Sequence, residues 1–127
     1  MLIIVIYIAF TIVSDNKTIP ENDAERQVVS YDISFQVLNG YGKSGLAMAV
    51  RNELINMGFD VLSIDNTKKF IYQRTVLLIR KMDVEKLEIV KKELNISNIY
   101  LQLKEDSLYD FILILGADYG KYFKNIE

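Results

Sequence analysis

The short link between two predicted strands constrains the fold of this chain most strongly. Val61, Leu62 and Ile64 predict one strand, and residues 75–80 predict the next. The ten residues that join them, 65–74, have no apolar side chains at helical spacing. Parallel neighbouring strands need a connection of a dozen or more residues, which is usually a helix. We therefore expect these two strands to run in opposite directions, which argues against a uniformly parallel sheet.

The remaining patterns predict the element order β-α-β-β-α-β. Residues 33–38 alternate between apolar and polar side chains and then run apolar, and residues 111–115 are an uninterrupted apolar run typical of a central strand. Residues 99–101 allow a short additional strand. We predict a single small α/β domain over residues 33–120, with a mixed sheet, both helices on one face, and a tail at residues 121–127.

Two helices are predicted between the strands. Gly58 stands where a left-handed residue would end the first helix, and Asp83 can cap the start of the second. Apolar residues at helical spacing predict the faces that these helices turn towards the sheet. They are Leu46, Val50, Leu54 and Met57 in the first helix, and Val84, Leu87, Val90 and Leu94 in the second.

The first part of the chain has a different character. Residues 1–13 contain one polar side chain, Thr11, and residues 14–32 are a largely polar stretch that includes the only proline. This pattern predicts a membrane anchor through residues 2–13, followed by an exposed spacer. A helix of that length rises roughly 20 Å, whereas the hydrocarbon core of a bilayer is about 30 Å thick. An upstream start codon would explain the short run, and a buried strand is the alternative.

Composition excludes several classes of chemistry. The 127 residues include no cysteine and no histidine, and the net charge is −2. The chain therefore has no thiolate, no disulfide and no histidine base, and we expect no catalysis, cofactor or metal. Basic side chains surround Phe70 and Tyr72, but a solvated strand edge explains them better than nucleic-acid binding. No nucleic acid is expected as a partner.

A glycine-rich loop follows the first predicted strand. Residues 40–45 match G-x-G-x-x-G, and Asp65 lies 20 residues beyond Gly45, at the end of the next strand. In dinucleotide-binding proteins the glycines of this motif admit a pyrophosphate and the acidic residue holds a ribose hydroxyl. A small cytosolic nucleotide-binding domain that uses this loop is therefore one alternative. The chain is too short for the usual pair of mononucleotide-binding halves.

Turn geometry explains the same loop without a ligand. The Asn39-Gly40 pair favours a positive φ in a tight turn, and Ser44 can cap the first amides of the helix. Gly45 would then allow that helix to lie close to the sheet. A helix N-terminus can bind an anion in any fold, so a phosphate-bearing polymer stays possible as a ligand.

Three motifs occur in order along the predicted domain. N-G-x-G-x-x-G-x-A occupies residues 39–47, G-F-x-V occupies 58–61 and L-G-A-D occupies 115–118, with Thr75 at the start of the third strand. Over residues 33–120 this combination resembles the LytR C-terminal domain of LytR/CpsA/Psr cell-envelope proteins, here as a stand-alone domain behind an apolar anchor. The resemblance implies a domain on the extracytoplasmic face, tied to the envelope, and it implies no catalytic residues.

The leading functional prediction is therefore a non-enzymatic, membrane-tethered envelope domain. We expect it to bind a cell-wall glycan or glycopolymer, or an envelope protein; a purely structural or protein-interaction domain is the further alternative. Aromatic side chains beside a polar loop can stack on a sugar ring, although such residues often cover the end of a core. The predicted binding residues are Asn39, Gly40, Tyr41, Gly42, Lys43, Ser44 and Tyr119.

Overall fold

The computed structural model describes residues 29–126, so the predicted anchor and most of the spacer lie outside it. The strands are β1 (Ser34–Asn39), β2 (Asp60–Asn66), β3 (Val76–Ile79), β4 (Ile99–Leu101) and β5 (Phe111–Leu115). The helices are α1 (Leu46–Asn56), α2 (Val84–Leu94) and a single 3-10 turn (Tyr119–Lys121). The predicted α/β fold class is confirmed, and the additional strand at residues 99–101 is present.

The five strands form one mixed sheet in the order β2-β1-β5-β3-β4. β1 runs parallel to both β2 and β5, whereas β3 runs antiparallel to β5 and parallel to β4. β2 and β3 therefore run in opposite directions, as the short link predicts. They are not neighbours, however, because β1 and β5 lie between them. The link between them crosses the ends of two strands and does not form a hairpin.

Both helices lie on one face of the sheet, as predicted. The units β1-α1-β2 and β3-α2-β4 each join parallel neighbours through a helix, and such crossovers are right-handed in nearly all proteins. In the first unit the chain moves from β1 outwards to β2, at one edge of the sheet. In the second unit the strands point in the opposite direction, and the chain moves from β3 outwards to β4, at the other edge. Reversing both direction and step keeps the two right-handed helices on the same side.

The core fills the space between the helices and this face. Phe35, Leu77 and Leu113 are fully buried, and the sheet register places Leu113 opposite both Val37 and Leu77. All of them belong to one apolar cluster with Val50 of α1 and Val90 of α2. Phe123 is also only 1% exposed, so part of the segment after residue 120 packs into the core.

One predicted core residue is wrong. Val84 is 66% exposed, although its spacing places it on the apolar stripe of α2. It is the first residue of that helix, directly after the Asp83 cap, whose side chain accepts a hydrogen bond from the Lys86 amide as predicted. Here α2 has not yet reached the face of the sheet, and the stripe becomes buried only at Val90 and Leu94.

Candidate functional site

The candidate site lies where β1 and β5 end side by side, which we call the carboxyl end of the sheet. Asn39 and Leu115, the last residues of these strands, are direct partners in the sheet. The glycine loop, residues 40–45, follows β1, and residues 116–122 follow β5. Two loops far apart in sequence therefore meet because their strands are neighbours.

Asn39 organises the glycine loop from within. Its side-chain oxygen accepts hydrogen bonds from the amides of Tyr41 (3.1 Å) and Gly42 (2.8 Å), and its amide nitrogen donates to the carbonyl of Lys43 (2.8 Å). The side chain is 5% exposed. Asn39 was predicted as a binding residue, but its hydrogen-bonding groups hold the loop and point inward. Its role in this structure is to fix the shape that the exposed residues present.

The reasons for Gly40 and Gly45 are the reverse of those predicted. Gly40 does not have a positive φ; it is confined by space, since a Cβ there would lie 2.8 Å from the carbonyl oxygen of Leu115 and 2.8 Å from the ring of Tyr72. Gly45 has nothing within 4 Å of such a Cβ, but its φ is +79°. That conformation costs an ordinary residue about 1–2 kcal/mol. Gly45, not Ser44, is the residue before α1, and no side chain caps this helix start.

The second loop is held by Asp118. Its carboxylate accepts hydrogen bonds from the backbone amide (2.7 Å) and the hydroxyl (2.8 Å) of Thr75, which is fully buried. The Thr75 hydroxyl oxygen in turn accepts from the amide of Gly116 (3.1 Å), where a Cβ would meet the backbone of Arg74 at 2.5 Å. The L-G-A-D motif and Thr75 thus form one hydrogen-bonded unit, which gives Asp118 a structural role.

Three exposed or half-buried side chains meet above these two supports. The Lys43 ammonium donates a hydrogen bond to the Tyr119 hydroxyl at 2.9 Å, and the Tyr41 and Tyr119 rings lie 6.0 Å apart at 44°. The Lys43 nitrogen lies 5.5 Å from the Tyr119 ring centre. The ring centre, the phenol oxygen and the Lys43 nitrogen lie nearly on one line, because the distance from ring centre to nitrogen is close to the sum of the two shorter distances. The ammonium therefore lies beyond the hydroxyl, near the plane of the ring. It does not lie over the ring face.

We call this group, Tyr41, Lys43 and Tyr119, the tyrosine–lysine cleft. It borders an open depression of about 730 Å³ that is also lined by Gly42, Ala117 and Gly120. The predicted residues Tyr41, Gly42, Lys43 and Tyr119 are brought together there, whereas Asn39 and Gly40 are buried beneath. Sequence reasoning did not include Ala117 or Gly120, and their adjacency to Tyr119 after β5 was the available signal.

A further tyrosine stands close to this end of the domain. Burial and the negative charge of Asp118 raise the pKa of Tyr122 above its ordinary value. The positive charge of Arg74 lowers this pKa by a smaller amount. Because a phenol ordinarily loses its proton only near pH 10, Tyr122 stays neutral at physiological pH.

The structure agrees with one part of the nucleotide alternative and opposes another. β1, α1 and β2 form the parallel unit that such a site needs, and Asp65 lines a groove with Gly45, Met48 and Ile64. Three of the loop amides, however, are already engaged: the Gly40 amide donates to Leu115, and those of Tyr41 and Gly42 donate to Asn39. In a dinucleotide site such amides point at the pyrophosphate. The Asp65 side chain accepts the amide of its neighbour Asn66.

The opposite end of the sheet carries a polar cluster that sequence reasoning missed. Asp110 is 7% exposed, and its carboxylate accepts hydrogen bonds from the Ser34 amide (2.9 Å) and hydroxyl (3.3 Å). The Lys86 ammonium lies 3.3 Å from the same oxygen. The available signal was an acidic residue directly before a wholly apolar strand.

The fold and the site define a small mixed-sheet α/β domain in which three motifs build one end of the sheet. The chain belongs to the LytR_C family, described as LytR cell envelope-related transcriptional attenuator, whose model matches residues 32–119. The predicted family is thereby confirmed. Comparison with curated proteins and with solved structures found no match.

Membership of this family makes the chain a cell-envelope-associated domain and indicates an extracytoplasmic location. LytR_C is the non-catalytic C-terminal domain of envelope attenuator proteins. Within residues 29–126, no helix has the length and apolar character needed to cross a bilayer. The predicted anchor at residues 2–13 lies outside that range.

Proposed function

We propose that this protein is a non-enzymatic, membrane-tethered envelope domain that binds an anionic cell-wall glycopolymer in the tyrosine–lysine cleft. One observation carries the proposal. Tyr41, Lys43 and Tyr119 converge at the surface, while the loops beneath them are held by other residues, Asn39 and Asp118. The three side chains thus meet at the surface of two loops whose backbones are held by other residues.

The chemistry of the cleft suits a charged polysaccharide. A tyrosine ring offers an apolar face for the C–H groups of a sugar and a hydroxyl for its polar groups. The Lys43 ammonium is a positively charged donor, and a phosphate or carboxylate on the polymer would form a charge-assisted hydrogen bond with it. The depression is open, which suits a chain that passes across the surface better than an enclosed small molecule.

The remaining alternatives differ in what they require. An envelope protein as ligand would need a larger contact than this cleft, since stable protein interfaces bury about 800 Å² on each partner. A purely structural role would predict that replacing the Tyr41 ring, which is 44% exposed, changes the affinity for no ligand. A nucleotide would need the loop amides that Asn39 and Leu115 already accept.

A binding measurement with purified wall teichoic acid tests the proposal. We expect Tyr41→Ala and Lys43→Gln each to weaken binding about fivefold or more, since a charge-assisted or aromatic contact contributes roughly 1 kcal/mol. Isothermal titration calorimetry would measure this, with the thermal unfolding midpoint checked in parallel. Binding should weaken as salt rises, because the Lys43 contribution is electrostatic and partly exposed.

Matched controls separate the cleft from general surface effects. Tyr100→Ala removes a tyrosine that is 58% exposed on β4, away from the cleft, and Lys92→Gln removes an exposed lysine of α2. Neither should change the affinity. Equal loss in the control and cleft variants, or unchanged binding in all of them, would contradict the proposed site.

A further inference from the structure

The chain enters the domain at the end of the sheet opposite the cleft. The amide of Tyr31 donates to the carbonyl of Gly58 (3.0 Å), and a Cβ on Gly58, whose φ is +104°, would lie 2.1 Å from the carbonyl oxygen of Val29. These contacts fix the incoming chain beside the start of β1. The six residues of β1 rise roughly 20 Å, and the cleft lies beyond its last residue.

Exposed apolar side chains gather at this same end. The last residues of β3 and β4 and the first residues of α2 and β5 lie at this end. The hydrogen bond from the Arg80 amide, after β3, to the carbonyl of Asp110, before β5, indicates this. We call this group the entry face: Met82 (57% exposed), Val84 (66%), Leu103 (57%) and Leu108 (75%). Met82 and Leu103 line one depression together with Arg80, Lys81 and Glu105. Exposed apolar side chains that cluster in this way mark interaction surfaces.

We infer that the entry face rests on the surface of the lipid bilayer, with its apolar side chains among the acyl chains below the headgroups. This inference rests on the tether in the proposed function. The 15 residues 14–28, between the apolar run and the first described residue, span at most about 50 Å even when fully extended. An anchor in residues 2–13 would therefore keep this face at high effective concentration near the bilayer, where weak contacts are populated.

The charges at the entry face favour lipid over a charged partner. The Lys104 ammonium lies 2.7 Å from the Asp106 carboxylate, and Lys86 pairs with Asp110, so much of the charge here is balanced within the domain. Arg80 and Lys81, which line the same depression, can keep their charged ends among the lipid headgroups while the apolar side chains lie below. The contact also orients the molecule: the tyrosine–lysine cleft points away from the bilayer, towards the wall.

The absence of cysteine from the chain allows a direct test with the full-length protein. Leu103→Cys and, separately, Leu108→Cys would carry the polarity-sensitive fluorophore NBD, with the protein reconstituted into phosphatidylcholine–phosphatidylglycerol vesicles. Met48→Cys is the matched control, because Met48 is 48% exposed in the first turn of α1, at the cleft end. We expect a blue shift and quenching by nitroxide-labelled lipid at positions 103 and 108, and neither effect at position 48.

The outcomes distinguish this inference from the proposed tether. Vesicle flotation reports the tether by itself: a full-length protein that does not float with vesicles would overturn the tether and this orientation with it. A protein that floats while probes at 103 and 108 remain in a polar environment keeps the tether but overturns the entry-face inference. A probe shift that depends on protein concentration and persists without lipid would instead identify a second copy of the chain as the occupant, and would also overturn it.

Discussion

The two ends of the sheet are fastened in the same way but expose different chemistry. At the carboxyl end, Asp118 accepts an amide and a hydroxyl from Thr75; at the entry end, Asp110 accepts an amide and a hydroxyl from Ser34. These two aspartates flank β5 on either side. Yet within residues 29–126 the group of two tyrosines around a lysine lies at the carboxyl end alone. The aspartate hydrogen bonds stabilise the fold at both ends. The two ends differ in the side chains that they expose.

The largest effect is expected from Asp118→Ala. Removing this carboxylate leaves the amide and hydroxyl of the fully buried Thr75 without their acceptor. An unsatisfied buried donor costs about 1–3 kcal/mol, so we expect a loss of roughly 2–4 kcal/mol in the free energy of unfolding, measured by urea denaturation. Asp118→Asn keeps one acceptor oxygen and should lose less. An unchanged Asp118→Ala variant would show that the carboxyl end is not fastened by this residue.

Asp110→Ala should have the next largest effect. It removes the acceptor of the Ser34 amide and the partner of Lys86, and the expected loss is about 1–3 kcal/mol. We expect less than for Asp118→Ala, because the Lys86 side chain is 28% exposed and can turn to water. Asp106→Ala is the control, since it removes a largely exposed acid at the same end and should leave the free energy of unfolding nearly unchanged. A larger loss for Asp110→Ala than for Asp118→Ala would reverse the comparison.

The two glycines of the loop allow a finer test at the carboxyl end. Gly40→Ala forces a Cβ against Leu115 and Tyr72 and should cost about 1–3 kcal/mol by overpacking. Gly45→Ala meets no atom but keeps a positive φ, and it should cost about 1 kcal/mol, which Gly45→Asn partly restores. Gly120→Ala, which has neither restriction, serves as the reference. Equal losses for Gly45→Ala and Gly45→Asn would disagree with a backbone origin.

The smallest effect is expected from Asp65→Asn. This exposed residue contacts the amide of Asn66, and its replacement should change stability by less than about 0.5 kcal/mol. Titration of the wild-type protein with NAD, NADP, ATP or FAD should leave the melting temperature unchanged. A rise in melting temperature that disappears in Asp65→Asn would instead show that the carboxyl end binds a nucleotide and not the proposed glycopolymer.

The element order followed from the sequence because strand and helix periodicities are local properties. Neighbour relations in the sheet are not local. The link of residues 65–74 correctly predicted opposite directions for β2 and β3, but no feature of the link reveals that β1 and β5 lie between them. The same limit explains the reversed roles of Gly40 and Gly45, since the atoms that confine Gly40 come from residues 72, 114 and 115.

The sequence identified the residues of the site, but it did not show that they come into contact. Tyr41 and Lys43 lie in a loop that the glycine pattern identifies, and Tyr119 follows a clear strand end. Their contact joins residues 76 positions apart, which requires the parallel pairing of β1 with β5. Asp110 was missed for a related reason: the acid before β5 is visible in the sequence, but its partner Ser34 is equally remote.

The position of β1 has a mechanical consequence. This strand begins where the chain enters, ends at the glycine loop beneath the cleft, and is hydrogen-bonded to β2 on one side and β5 on the other. A pull between an anchored tether and a ligand held in the cleft would therefore run along the length of β1. Such a load shears many hydrogen bonds of two ladders at once instead of opening them one after another. With the proposed tether and ligand in place, the domain would carry tension in the direction in which these hydrogen bonds resist together.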